Sequence, residues 1–336
     1  MPSLALESGV VFAYTDSGAL TDYTCYKTVV IIHGHTFHNG TFQRLNALAK
    51  PNGLRIISVN RREYPGSTPY SDEELATFAC GSDAERAVLL EQQGRDLAMF
   101  LDGLITHLHL PQTGGMAILG WSMGCLFLMA LVSCICTLPK ATQERLSSFV
   151  HNIVMLQPPS LAFGIPTPPG WLIPQTDPRI APEARGPAFA KWVSSYFIHG
   201  NLSSRNIDEL TYDDTDPDKS STIETLTPEE FLGMTDFAPG DRYDNIVGLP
   251  PFAAPVFEQT QKALFNEAVR DAWRGTQFWN VYGDAEPWNI IYAAWFLEDL
   301  AIKSAFQINF KVIHGINHFL VWENPEKALN ELKECI

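Results

Sequence analysis

Basic residues are scarce in this chain. Lys and Arg number 23 against 38 Asp and Glu, a formal net charge of −15 over 336 residues. Nucleic-acid phosphates and anionic membrane surfaces would repel such a molecule, so the expected partner is a neutral, mostly apolar small molecule, with no nucleic acid and no membrane. The six cysteines (Cys25, Cys80, Cys125, Cys134, Cys136, Cys335) include no C-x-x-C pair with metal-ligand spacing. They are expected as buried thiols, with no metal. Residues 1–9 lack the basic and apolar regions of a signal peptide, and the expected compartment is reducing and intracellular, in the cytoplasm. Internal repeats and low-complexity tracts are lacking too. Charge is missing altogether from residues 110–139, a run long enough to cross a bilayer. Pro111, Gly114, Gly115, Gly120 and Gly124 divide it, however, into the turn, buried strand and core helix of a globular protein.

Within that uncharged run lies Gly120-Trp121-Ser122-Met123-Gly124. The spacing is that of a sharp strand-to-helix turn that thrusts one serine outward. Positions two before and two after the serine press together in such a turn, and glycine fits there because it has no Cβ. Residues 116–119 read as the strand and residues 125–138 as the helix.

The remaining apolar runs alternate with helix-like segments, as in a mostly parallel sheet wrapped by helices. Residues 10–15 read as an early edge strand, and 28–33 and 54–60 as central strands. Residues 82–108 read as a long helix opened by a Ser82-x-x-Glu85 capping box. Strands follow at 150–157, 277–282 and 306–314, and Asn324-Pro325 announces a last helix. The rhythm stops over residues 161–275, which read as an inserted cap with helical stretches at 228–233 and 257–274 and a solvated acidic loop at 212–225. Trp171, Trp192, Tyr196, Phe197 and Trp273 either line a pocket there or form the cap's own small core.

A serine hydroxyl is a poor nucleophile at neutral pH and needs a base, itself oriented by a third group. His318, in the loop between the last strand and the terminal helix, is placed to be that base. The acid should leave the end of the preceding strand, where Asp284 and Glu286 both stand. A tetrahedral intermediate also needs backbone donors for its oxygen. Met123, at the start of the helix, offers one. His35, following Gly34 in the loop after strand 28–33, offers the other. His33, His35 and His38 form a loose cluster, but no carboxylate or thiolate accompanies them, so a metal is not expected.

Taken together, His33-Gly34, the Asn60 to Ser67 segment, Gly120 to Gly124, Gly283 to Glu286 and Asn317-His318-Phe319 resemble the α/β-hydrolase superfamily over nearly the whole chain. The chain order of serine, acid and histidine is the one found there. The resemblance implies an α/β fold with a mostly parallel eight-stranded sheet flanked by helices and a helical cap inserted between strands six and seven. The core would comprise residues 1–160 and 276–336, and the cap 161–275. It implies a catalytic set of Ser122, His318 and Glu286, with Asp284 as the alternative acid, because the family's acid usually lies three residues past the strand-ending glycine but is more often aspartate. Asn317 stands where the family often has glycine, and asparagine tolerates the left-handed backbone expected there. The implied activity is cofactor-free cleavage of an ester, lactone or thioester through an acyl-enzyme. C–C bond hydrolysis, aminopeptidase or acyltransferase chemistry on the same residues, and a non-catalytic ligand-binding role, are the alternatives.

Overall fold

A computed structural model gives the fold and describes all residues except 22, 24, 249–251 and 305. Three residues assigned from sequence to the cap, Leu249, Pro250 and Pro251, thus lie outside the described residues. Eight strands form one sheet: β1 (Ser3–Ala5), β2 (Val11–Asp16), β3 (Lys27–Ile32), β4 (Leu54–Val59), β5 (Met116–Trp121), β6 (Val150–Leu156), β7 (Gln277–Gly283) and β8 (Asn309–Ile313). Their order is β1-β2-β4-β3-β5-β6-β7-β8, with β1 and β2 antiparallel to their neighbours and the rest parallel. The helices are α1 (Gln43–Ala49), α2 (Asp72–Cys80), α3 (Asp83–His107), α4 (Gly124–Ser133), α5 (Lys140–Phe149), α6 (Arg185–Val193), α7 (Thr222–Thr225), α8 (Pro228–Met234), α9 (Asn245–Val247), α10 (Ala253–Phe265), α11 (Glu267–Ala272), α12 (Trp288–Ser304), α13 (Leu320–Glu323) and α14 (Pro325–Lys333).

Period-two alternation along the strands divides the core between the two faces of the sheet. Val30, Ile32, Ile57, Val59 and Ile118 pack with α3, α4 and α10 on one side. Val29, Ile31, Ile56, Leu119 and Trp121 pack with α1, α13 and α14 on the other. β4 and β5 are buried along their whole length, as strands covered on both faces must be. The uncharged run resolves into β5, a turn and α4, every residue of which is buried. Among the described residues no helix is long and apolar enough to cross a membrane.

β4 lies on one side of β3 and β5 on the other. Connections leaving β3 and β5 therefore diverge, and a crevice opens where their carboxyl ends meet. The pairing of Ile32 with Gly120 puts the loop after β3 directly beside the turn after β5. Between β6 and β7 the chain passes through α6 to α11. The last two of these helices belong to the main core: Gln259 donates to the Leu126 carbonyl (2.9 Å), Trp273 Nε1 donates to that of Val132 (3.0 Å), and Val256, Leu264 and Val269 join the α3–α4 cluster.

Several local expectations need correction. The strand near residue 10 is not at the edge, because the short β1 pairs outside it. α2, with its own Ser71–Glu74 capping box, precedes the long helix. The stretch read as one helix over 257–274 breaks at Asn266, whose side chain accepts from the Val269 N–H and starts α11. The acidic loop at 212–225 ends in a helical turn, α7. Only Cys125, Cys134 and Cys335 are buried; Cys25, in the loop before β3, Cys80, the last residue of α2, and Cys136, in the short turn after α4, are exposed.

α3 and α4 approach to backbone contact at Gly94, where an added Cβ would lie 2.2 Å from the Ala130 carbonyl oxygen. Alanine is the better helix former by roughly 1 kcal/mol, yet Gly94→Ala should destabilise the protein by about 1–3 kcal/mol through overpacking. A urea unfolding midpoint equal to or above that of the wild type would contradict the close crossing.

Candidate active site

Ser122 occupies the turn between β5 and α4 with φ of 56°, a left-handed conformation that costs energy in a residue with a Cβ. Its neighbours make the turn possible. A Cβ on Gly124 would lie 2.2 Å from the Ile32 carbonyl oxygen, and one on Gly120 would lie 2.9 Å from the Cys125 Cα. The Ser122 N–H is anchored to the Leu156 carbonyl at 2.9 Å, which fixes the turn to β6.

His318 is buried at 1% exposure in the loop between β8 and α13, its ring stacked on Trp121 with centroids 5.1 Å apart. Its Nδ1 lies 2.8 Å from Glu286 Oε2. A carboxylate can only accept, so the Nδ1 proton points at Glu286 and the Nε2 lone pair is left available. Nε2 is buried with no hydrogen-bond partner among the described residues, and it makes no bond to Ser122 Oγ in this resting arrangement. Both residues line the same cleft. Glu286 is itself wholly buried and held by the Gly283 N–H and by Gln157 Nε2 (2.9 Å). Asp284, the other candidate acid, points elsewhere: it accepts from His314 Nδ1 at 2.8 Å and from the Gly315 N–H at 2.6 Å. Asn317 is not left-handed; Gly315 takes the positive φ of that loop. The Asn317 amide instead donates to the Ser194 carbonyl and Thr222 Oγ1, each at 2.8 Å.

The loop after β3 brings Gly34 against the serine, close enough that a Cβ there would sit 2.8 Å from Ser122 Cβ. Behind this loop lies Arg61, 2% exposed. Its guanidinium donates to the carbonyls of His33 (3.1 Å) and Gly34 (2.8 Å) and forms a two-pronged ion pair with Asp244 (3.0 and 2.7 Å). Drawing the Gly34 carbonyl toward Arg61 turns the N–H of the same peptide, that of His35, the opposite way. Tyr64 closes the network by donating to Asp244 while accepting from the Thr36 N–H. Burial disfavours the Arg61 charge, but Asp244 more than offsets that and raises the pKa above the usual arginine value. Burial, reinforced by Asp244, pushes the Tyr64 phenol well above its ordinary range.

The three histidines of this loop serve separate purposes. His33 bonds the Gly34 carbonyl and the Arg61 N–H, His35 bonds Asn245 Oδ1 (2.9 Å) and Thr36 Oγ1 (2.7 Å), and His38 accepts from the Gly40 N–H. Among the described residues no group of three or more His, Cys, Asp or Glu is gathered to hold a metal.

The cleft over Ser122 is narrow, with a cavity volume of about 40 Å³. Of the aromatic residues singled out in sequence, Trp192 alone lines it. Trp171 packs on Trp288, Tyr196 bonds Glu323, Phe197 packs edge-on against Trp192, and Trp273 is deep in the main core. Arg61, Tyr64, Gln157 and Asp244 were not assigned from sequence. A polar residue at a strand's carboxyl end marks Gln157 in principle, and the Asn60 to Ser67 segment marks Arg61. Nothing local marks Asp244.

Removing one partner of the buried ion pair leaves a charge without compensation, so Asp244→Ala or Arg61→Met should each cost about 3–5 kcal/mol. The double variant should cost clearly less than the sum of the two, measured by urea denaturation. Additive losses would show that the pair does not act as one unit.

His33, His35, His38 and His199 all have pKa values below the ordinary 6.5, and burial is the leading cause for each. Below about pH 6.5 the unfolded chain therefore binds more protons than the native state does. Stability should be full above that pH and fall as acid is added, by up to about 1.4 kcal/mol per pH unit for each such histidine. A urea midpoint that stays constant between about pH 7.5 and 5.5 would contradict this, since that window brackets the free-histidine pKa.

The profile of the alpha/beta hydrolase family matches residues 29–332. No curated protein sequence matches the chain. Solved structures with a similar fold include Cfl2 from Burkholderia cenocepacia, at 14% identity over 99% of this chain and 94% of that one with a TM-score of 0.50. A thermophilic esterase from Thermogutta terrifontis is 17% identical over 99% and 97% with a TM-score of 0.47. A Vigna radiata epoxide hydrolase variant is 13% identical over 99% and 97% with a TM-score of 0.49. Identities this low speak to the fold and not to the reaction. The family match, which extends from β3 to α14, carries the assignment: this chain belongs to the alpha/beta hydrolase family.

Proposed function

We propose that the protein is a cofactor-free serine hydrolase that cleaves an ester, lactone or thioester of a mostly apolar small molecule through an acyl-enzyme. One observation carries this reading: His318 is held by Glu286 through Nδ1 while its unpartnered Nε2 lies buried in the cleft that Ser122 enters. Binding of substrate excludes water and brings Ser122 Oγ to Nε2, the tightening expected between a resting site and its complex. Nε2 takes the hydroxyl proton as Oγ attacks the carbonyl carbon. The tetrahedral oxygen is received by the N–H groups of Met123 and His35, with the dipole of α4 directed at it. His318 returns the proton to the leaving group, water repeats the sequence, and the acid is released. Glu286 keeps the imidazole in the required tautomer and stabilises it when protonated.

Substrate class follows from the walls. Leu161, Ile173, Phe189, Trp192, Val193 and Ile290 present apolar surface around the serine. Most come from residues 161–275, which we read as the cap, with 1–160 and 276–336 as the core. α10 and α11 lie within the cap's sequence limits but pack on the core and anchor it.

A fluorophosphonate probe should label the wild type and not Ser122→Ala. Glu286→Gln should lower kcat by as much as about 10⁴-fold, since it removes the tautomer control, whereas Asp284→Asn should stay within a few-fold of wild type on the same p-nitrophenyl ester. Labelling that persists in Ser122→Ala refutes the nucleophile. A larger loss in the Asp284 variant than in the Glu286 variant refutes the acid.

A further inference from the structure

Most polar side chains on the cleft wall are already occupied. Both Asp244 oxygens are taken by Arg61, and Tyr64 adds a further bond. Both ring nitrogens of His35 are bonded, and Asn245 Oδ1 is taken by His35. Ser122 and His318 are assigned to the chemistry. Two amides remain. Asn289, on the first turn of α12, lines the cleft at 4% exposure, and its Oδ1 is buried with no hydrogen-bond partner. Gln175 lines the same cleft, and its Oε1 is likewise buried without a partner. An amide left unsatisfied inside a protein is costly, and native structures retain few of them. Both residues line the one cleft, and Asn289 lies three residues along the chain from the Glu286 that bonds His318.

The lining offers no free charge. Asp244 is neutralised by Arg61, and burial keeps His35 from protonating at neutral pH. An ionised ligand would lose its hydration there and gain no counter-ion.

We propose that Asn289, together with Gln175, forms a polar subsite that accepts a hydrogen bond from a neutral donor, a hydroxyl or an amide N–H, carried by an otherwise apolar ester. This rests on the reading of Ser122 as the nucleophile of an ester hydrolase and narrows it: the preferred substrate is hydroxylated or amide-bearing, and a plain alkyl ester is a poor one. Each buried amide oxygen then receives its donor only when substrate is bound. A ligand without the donor leaves those oxygens unpaired, whereas a donor-bearing ligand satisfies them, and that difference favours the donor-bearing member of a matched pair.

The test uses two matched ester series over a range of chain lengths: p-nitrophenyl ω-hydroxyalkanoates against their ω-methoxy counterparts, and acetates of α,ω-diols against those of the diol monomethyl ethers. An ω-acetamido ester in each series supplies the N–H. At one chain length the wild type should favour the donor-bearing member in kcat/KM by about tenfold or more. In Asn289→Leu that ratio should fall to near one, and Gln175→Leu should reduce it. Because leucine removes an unsatisfied amide from an apolar wall, Asn289→Leu should also raise Tm; a merely structural asparagine would lower it. A wild-type ratio near one throughout both series overturns the proposal, as does a ratio that survives both substitutions. Fluorophosphonate labelling separates the two levels. Labelled enzyme with no donor preference sinks the subsite alone. Absent labelling sinks the hydrolase reading, and the subsite is then judged by whether the donor-bearing ester binds Ser122→Ala more tightly than its methyl ether.

Discussion

The ion pair between Arg61 and Asp244 ties together two parts of the chain that are far apart in sequence. Arg61 stands just after β4 in the first half of the sheet, and Asp244 comes from the long insertion between β6 and β7. A buried guanidinium is tolerable only with a compensating charge, and with the Gly34 and His33 carbonyls satisfying its remaining donors. The consequence reaches the proposed chemistry. Arg61 sets the tilt of the peptide between Gly34 and His35, Asp244 sets Arg61, and so the segment between β6 and β7 bears on the geometry of the proposed oxyanion donors. A fold in which that segment had come loose would lose the proposed donor geometry.

Backbone close to Ser122 is built on a second constraint, the lack of room. Ser122 is left-handed, Gly34 touches it, and Gly124 lies against the carbonyls that end β3. These contacts exist because β3 and β5 are neighbours whose connections leave in opposite directions. The strain in one serine is therefore held by the whole central sheet, with β6 gripping its amide. Rigid support of this kind matters because donors aimed at a developing oxyanion act without having to reorganise.

How much of this was legible in the sequence follows the range of the interactions involved. Gly120, Ser122 and Gly124 signal a local steric requirement, and the strand and helix around them are periodic, so the turn could be read directly. His318 was singled out by its place after the last strand, and the structure sets it against Glu286. The choice between Glu286 and Asp284 could not be made from turn chemistry, because both flank the same strand end; Glu286 is the proposed acid because Gln157 and the Gly283 N–H hold it against His318, while His314 and the Gly315 N–H engage Asp284. Gln157 and Asp244 were missed because their partners lie more than a hundred residues away. The break at Asn266 was overlooked because an apolar pattern continues across it, and only the side-chain cap reveals the new helix. Exposure of three cysteines was misjudged because a thiol beside an apolar run looks, in sequence, like a thiol within it.

The cleft combines two demands that pull against each other. Apolar walls lower the local dielectric, which strengthens every fixed dipole directed at the reacting carbonyl, but they also raise the cost of each polar group left without a partner. Across most of the site that cost is avoided by pairing: Asp244 with Arg61 and Tyr64, His35 with Thr36 and Asn245, Glu286 with His318, Gln157 and Gly283. Unpartnered atoms at the cleft are then the places where a ligand completes the structure. One of them, His318 Nε2, is where the proposed reaction needs a free lone pair. The other two belong to Asn289 and Gln175. That all three belong to residues lining one cleft is what makes a polar handle on the substrate the economical reading, because a purely apolar ligand would leave the two amide oxygens unsatisfied in both the free and the bound states.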